Sequence, residues 1–338
     1  MSEAETFLAT LRRDGCVRDP QATLTPLSGG VSSDIYLVQD GRERFVVKRA
    51  LAKLRVKDDW FANVGRNATE QAYLLYVSRF LPEAVPQIRL TNPHAGYFSM
   101  EFLGTGFANW RKLLLDGVCE IAHAAQAGKI VGTIHRKTAG DAEVARNFDT
   151  TSDFHQLRIE PYLLTTGARH PELRKLFEGE ARRLEVTREA LVHGDFSPKN
   201  ILIGGSRMVL LDCEVAWYGD PTFDVAFLLN HFFLKSLHHA PKVFGLEKMI
   251  AAFWHAYAAA RTNGNASQVE HRLVPLLLML LLARVDGKSP AEYLTAVKQQ
   301  FIRDFVSEHL PSPPETLGQL SEIWFARVFD STSVLSPP

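Results

Sequence analysis

The chain has 338 residues, 46% hydrophobic and 22% charged, with 38 Lys+Arg balanced by 38 Asp+Glu. That length suits two lobes or one large α/β unit, and the apolar share excludes a disordered or fibrous chain. Zero net charge removes the electrostatic case for nucleic acid or an anionic membrane as the main partner.

The opening MSEAETFLATLRRDGC has no apolar core behind basic residues and reads as no secretory signal. Cys16, Cys119 and Cys213 are widely spaced and include no CxxC pair, which points to a reducing, cytoplasmic setting without disulfides or structural zinc. From about residue 22 to 103 the texture is that of short strands around one helix. ATLTPL, DIYLVQ and RERFVVK are β-rich, with Asp40-Gly41 as a hairpin turn between the last two. ATEQAYLLYVSRFL has apolar residues at helical spacing and stops at Pro82, and PQIRLTNPHAGYFSMEFLG reads as two strands joined at Asn92-Pro93.

After Gly104-Thr105-Gly106 helical patterns dominate, at roughly 118–137, 171–188, 223–235, 243–261, 267–285, 290–308 and 314–329. The apolar run Leu273 to Ala283 falls well short of the ~20 residues of a spanning helix and predicts a buried one. Only LVHGDFSPKNILIGGSRMVLLDCE breaks the pattern, and its second half reads as a hairpin around Gly204-Gly205-Ser206. The expected architecture is α+β: a small β-rich N-lobe, 1–103, followed by a larger, mainly helical C-lobe, 104–338. The crevice between two such lobes is a natural ligand site.

The densest polar segment inside apolar sequence is His193-Gly194-Asp195-Phe196-Ser197-Pro198-Lys199-Asn200, followed by Leu211-Asp212-Cys213-Glu214. Carboxylates and an amide in a partly buried loop are costly unless they bind something. Asp and Asn oxygens suit Mg²⁺, which completes its shell with substrate phosphates, while a separate Asp accepts a hydroxyl proton. H-x-D-x-x-x-x-N, a strand and then an Asp is the pattern of phosphoryl transfer from a nucleotide. Upstream, Ser28, Gly29, Gly30, Ser32 and Ser33 lie between two strands, where glycine backbone and serine hydroxyls suit phosphates, although a loop of this kind is also an ordinary tight turn. Lys48 ends the apolar strand Phe45-Val46-Val47 and requires an anionic partner; Glu70 on the next helix is the best placed by order.

HGDFSPKN, the β-rich half with Lys48 and Glu70, and LLDCEVAWYGDPTFDVAFLL together resemble the aminoglycoside phosphotransferase-like small-molecule kinases, relatives of the protein kinases. The resemblance spans residues from about 22 to 235. It implies a bilobal protein-kinase-like fold with ATP and Mg²⁺ between the lobes. Asp195 then matches the catalytic base, and Asn200 and Asp212 match metal ligands. The Asp-Cys-Glu form is similar to that of methylthioribose kinases, as is LRVKDDW at 54–60, and it makes Glu214 a further metal candidate. Met100-Glu101-Phe102-Leu103 matches the hinge, so the backbone of Glu101 and Phe102 is expected to read the adenine edge. Lys199 either reaches the γ-phosphate or stays solvated.

The implied activity is transfer of the γ-phosphate of ATP to a hydroxyl of a small molecule. The alternatives are a nucleotide-binding pseudokinase or a protein Ser/Thr kinase; against the latter, Gly219-Asp220-Pro221 follows Asp212 too soon to leave an activation segment. Several residues have plainer readings. His193 is expected to brace the loop, and Asp224 to accept hydrogen bonds from the loop backbone. His238-His239 is read as a helix-end feature. Arg284 to Lys288 either contact the acceptor or form a charged helix end closed by Gly287. From residue 231 onward ten Lys/Arg face nine Asp/Glu, a balance that favours a sugar, an amino alcohol or a similar metabolite over a polycationic aminoglycoside. Oligomeric state is not readable.

Overall fold

The computed structural model describes residues 3–27, 33–50, 65–261 and 266–331. Ser28, Gly29, Gly30 and Ser32, and the stretch holding Arg55, Lys57 and Trp60, lie outside the described residues. The chain divides into two compact units, Met1–Phe107 with Val209–Glu214, and Ala108–Met208 with Val215–Pro338.

In the first unit, β1 (Thr23–Pro26), β2 (Ser33–Asp40), β3 (Glu43–Ala50), β4 (Ile88–Asn92) and β5 (Tyr97–Glu101) form an antiparallel sheet in the order β1-β2-β3-β5-β4. The sequence also forms a helix it did not advertise, α1 (Glu3–Arg13). Phe7 and Leu11, one turn apart, bury themselves with Val17, Tyr36, Val38, Phe45, Val47 and Tyr97. Each such side chain contributes about 2 kcal/mol of burial. Because strand side chains alternate, Phe45 and Val47 under α1 leave Val46 and Lys48 on the opposite face. That face is where α2 (Arg66–Ser78) brings Glu70.

In the second unit the expected helices are present with shifted ends: Ile121–Thr138, Arg174–Val186, Thr222–His239, Leu246–Ala260, Ala266–Asp286, Ala296–His309 and Leu317–Asp330. The run Leu273 to Ala283 is buried apart from the partly exposed Pro275. Among the described residues no helix is long and apolar enough to cross a membrane. Between about 138 and 170, where no element was expected, the chain forms the helices Ala142–Asn147 and Thr151–Phe154, a π-helix His155–Leu164 and a last helical turn Thr165–Arg169. Strand Ala190–Val192 pairs antiparallel with Trp217–Gly219. A hairpin of Ile201–Gly204 and Arg207–Leu210 follows the polar loop, and Ala108–Asn109 pairs with its first strand.

The helices Ile121–Thr138 and Leu246–Ala260 meet at backbone distance. A Cβ on Gly128 would lie 2.3 Å from the Phe253 carbonyl oxygen, closer than real Cβ atoms come. Gly128→Val is therefore expected to force the helices apart and lower stability by about 3 kcal/mol. Urea-unfolding midpoints check this, and an unchanged midpoint contradicts the close packing.

Candidate active site

Two polar constellations stand out, one in each unit. In the first unit, the Lys48 Nζ lies 2.6 Å from Glu70 Oε2 and 2.8 Å from Asp212 Oδ1. Lys48 is set by its strand, paired to Ile35 of β2 and Phe98 of β5. One turn of α2 separates Arg66 from Glu70, and the Arg66 Nη1 reaches Glu214 Oε1 at 3.0 Å. A single helix therefore ties down Lys48 through Glu70 and the Asp212–Glu214 segment through Arg66.

The charge states follow from this packing. Burial works against the Lys48 ammonium, but Asp212, Glu70 and Glu214 outweigh it and hold the lysine protonated, well above its ordinary range. Burial pushes the Glu70 carboxyl up, with Lys48 pulling the other way and Asp212 adding to the rise. Three carboxylates, those of Asp212, Glu70 and Glu214, thus act together on Lys48. The side chains of Lys48 and Glu70 are almost wholly buried, whereas that of Asp212 is 36% exposed. Asp212 is the member of the triad that faces solvent. Its φ is +60°, a left-handed conformation that costs a non-glycine residue about 1–2 kcal/mol. Strain of that kind, held at a carboxylate that three charges surround, is characteristic of a functional position.

In the second unit, the loop after strand Ala190–Val192 is fixed from three sides. Asp224 accepts hydrogen bonds from the backbone N–H of His193 at 2.7 Å and of Gly194 at 3.0 Å. The Asp195 N–H donates to His193 Nδ1 at 3.2 Å, and Asn200 Nδ2 donates to the Asp195 carbonyl at 3.1 Å. The turn Pro198–Asn200 closes the loop, and Asn109 donates to the Lys199 carbonyl at 2.7 Å. Gly194 has φ +75°, and a Cβ there would lie 2.3 Å from the Val215 carbonyl oxygen. The loop has no space for a side chain at that point.

Asp195, 4% exposed, presents Oδ2 to Arg158 at 3.0 Å and to the Lys199 Nζ at 3.0 Å. Burial alone would raise its carboxyl; Lys199 and Arg158 outweigh burial and hold it well below the usual carboxylate range. Asp195 is a weakly basic, firmly oriented carboxylate. That suits a group that positions a hydroxyl and accepts its proton only as the O–H bond yields. The Arg158 Nε also donates to the Gly194 carbonyl at 2.5 Å.

The structure brings Lys48, Glu70 and Asp212 together in the first unit, with Glu214 joined through Arg66, and brings Asp195, Lys199 and Asn200 together in the second. Ser33 opens β2 and is buried, Glu101 ends β5, and the Phe102 ring lies under the Arg44 guanidinium at 4.4 Å. Sequence reasoning missed Arg158 and Arg66. Arg66 had a signal, since it sits four residues before Glu70 on the same helix face. Arg158 had none, because its partner is far off in sequence and its own element is a π-helix. Asp286 is held by Arg303 and His170, and Arg284 by Ser289. His239 Nε2 meets the Leu114 carbonyl at 2.7 Å.

Asp212 is suited to a divalent cation, because it is the solvent-facing carboxylate of the triad. Asn200 is suited as well, since its Nδ2 is engaged and its Oδ1 is the atom left to face a cation. Glu214 is engaged with Arg66 and would take part only if that pair opened. Among the described residues no group of three or more His, Cys, Asp and Glu side chains is arranged to hold a metal by itself. A cation here would need ligand oxygens to complete its shell, as Mg²⁺ commonly does with phosphates.

The fold is protein-kinase-like. It superposes on an amicoumacin kinase in complex with AMP-PNP and Ca²⁺ with a TM-score of 0.54 at 14% identity, covering 95% of this chain and 100% of that one. It also superposes on a choline kinase from Cryptosporidium parvum Iowa II with a TM-score of 0.53 at 11% identity, covering 98% and 96%. Residues 23–266 match the phosphotransferase enzyme family APH, and the chain belongs to that family. A methylthioribose kinase from Yersinia pseudotuberculosis serotype O:1b (strain IP 31758) is 26% identical over 276 residues, 70% of this chain and 66% of the relative. The chain thus spans just under two thirds of the length of that relative.

Proposed function

We propose that this chain is an ATP-dependent phosphotransferase that moves the γ-phosphoryl group to the hydroxyl of a small molecule. The observation that carries the reading is the Lys48–Glu70–Asp212 triad, in a chain that also holds Asp195 in a rigid His-x-Asp-x-x-x-x-Asn loop. Lys48, fixed by Glu70, orients the α- and β-phosphates. Asp212 in the first unit and Asn200 in the second would each offer an oxygen to a divalent cation, which when bound would neutralise charge on the transferring phosphates. The Glu101–Phe102 backbone meets the adenine. Asp195 orients the acceptor hydroxyl and takes its proton. Lys199 and Arg158 hold Asp195 in place, and Lys199, 53% exposed in its side chain, is also within the reach of a flexible lysine of an incoming phosphate. Positioning and fixed charge supply most of the rate.

A small acceptor is favoured over a protein. Trp217–Gly219 already pairs back onto Ala190–Val192, only a few residues after Asp212, which leaves no segment on which to lay a peptide.

The test is ADP release across sugars, amino alcohols, hydroxy acids, nucleoside derivatives and antibiotics. At least one acceptor is expected to give release that stops on chelation with EDTA and returns with Mg²⁺. Mg²⁺-dependent ATP binding without phosphorylated product from any acceptor would replace this reading with a pseudokinase.

A further inference from the structure

One face of the helix Thr222–His239 carries Asp224, Phe227, His231 and Lys235 at intervals of three or four residues. The face begins at the catalytic loop, where Asp224 holds the backbone of His193 and Gly194. The Phe227 ring lies 5.8 Å from the guanidinium of Arg158, which pairs with Asp195. Each further step of four residues moves about 6 Å along the axis.

At the far end of the face is an unusual group. Lys235 is fully buried, and its Nζ has no hydrogen-bond partner among the described residues. The Nζ sits 5.5 Å from the centre of the Tyr293 ring, and the Tyr293 hydroxyl is buried and unpartnered too. Arg284 gives its Nη1 to Ser289, but its Nε is unpartnered, as is Nδ1 of His231. The groups that act electrostatically on Lys235 are the guanidiniums of Arg111 and Arg284 and the thiol of Cys119, with no carboxylate among them. Burial and the two arginines push the amine down to about 7. His231 lies between Phe227 and Lys235 on this face, and Lys235, Arg284, Asp195 and Lys199 all act on it electrostatically. Tyr162 is likewise under the electrostatic influence of Arg284, Arg158 and Asp195.

A buried ammonium among like charges, with no acceptor, destabilises a fold, and an apolar side chain would pack there at lower cost. A phenol, a guanidinium N–H and an imidazole nitrogen, all buried without partners, add to that cost. Four such groups, on and beside a helix face that begins at the catalytic loop, are explained by one occupant, an anion that accepts from all of them. We propose that Lys235, Arg284, Tyr293 and His231 form the acceptor subsite, and that it takes the anionic end, carboxylate or phosphate, of a hydroxylated small molecule whose hydroxyl reaches Asp195. The proposal rests on the phosphotransferase reading and narrows it. Lys/Arg and Asp/Glu are balanced over this part of the chain, but not inside the cluster, where an amine would meet two fixed cations.

Calorimetric binding to the full chain, without nucleotide, tests this with ω-hydroxycarboxylates of three to eight carbons, hydroxyalkyl phosphates, and amino alcohols and diols of matching length. Carboxylates or phosphates are expected to bind at least about tenfold more tightly than the amino alcohols and diols, and the two anion series show which head group is preferred. Lys235→Met is expected to remove about tenfold or more of that affinity while raising the unfolding temperature of the ligand-free protein. Lys288→Met, on an exposed lysine paired with Glu160, is expected to leave anion affinity unchanged. Stronger binding of the amino alcohols, no binding of any anion, or full anion affinity in Lys235→Met overturns the subsite. ATP·Mg²⁺ binding is read separately, so a protein that binds nucleotide but no anion refutes the subsite alone.

Discussion

Asp195→Asn is expected to lower turnover by about 10²–10⁴-fold, the range for loss of a positioned general base, with little change in the KM for ATP. Asparagine keeps the shape of the side chain and an oxygen for Arg158 or Lys199, so the loop is expected to stay folded. What it lacks is the charge that draws the hydroxyl proton. Lys48 and Asp212, the groups proposed to hold ATP, are not touched by the substitution. Steady-state ADP release at saturating acceptor checks the result, and turnover near that of the wild type would remove Asp195 from the reaction. The pH dependence has a definite sign. Lys199 and Arg158 keep the Asp195 carboxyl far below its ordinary range, so it is already ionised throughout the mildly acid and neutral range. An acid limb in the rate profile near pH 5–7 therefore belongs to another group.

Asp212→Asn is expected to abolish Mg²⁺-dependent turnover and to weaken ATP binding only when Mg²⁺ is present. Asparagine tolerates the left-handed backbone that position 212 requires, so the change isolates the carboxylate from its conformation. Lys48 keeps Glu70 as a partner at 2.6 Å, and the fold loses little. The difference in ATP affinity with and without Mg²⁺, measured by calorimetry, is the readout. A full Mg²⁺ dependence in the variant would move the cation away from Asp212. The opposite change, Lys48→Met, would instead leave Glu70 buried without its counter-charge, which costs about 3–5 kcal/mol, and would confound stability with function.

The first unit was readable because its signals are local. Period-two alternation, Asp40-Gly41 and Pro82 mark the strands, the hairpin and the end of α2, and the chain order alone pairs Lys48 with Glu70. The contact of Lys48 with Asp212 was not readable, since 164 residues separate the two and the second was assigned to metal. α1 went unread because two apolar residues, Phe7 and Leu11, carry its burial, and their partners lie on strands that follow later. The stretch from 138 to 170 went unread because its helices are short and a π-helix has neither of the usual periods. Lys235 was hidden in a different way. In FFLKSLHH it looks like an ordinary charge on a helix surface, and only its burial without a partner sets it apart.

The π-helix His155–Leu164 has a consequence for how the family can vary around this site. Its turns are wider than those of an α-helix, and Arg158 sits within them. Deleting any one residue in the segment would let the coil tighten to the ordinary pitch. The guanidinium would then swing by about a quarter-turn away from Asp195, although neither residue had changed. Alignment gaps, rather than substitutions, are therefore where relatives with a differently tuned carboxylate should be sought.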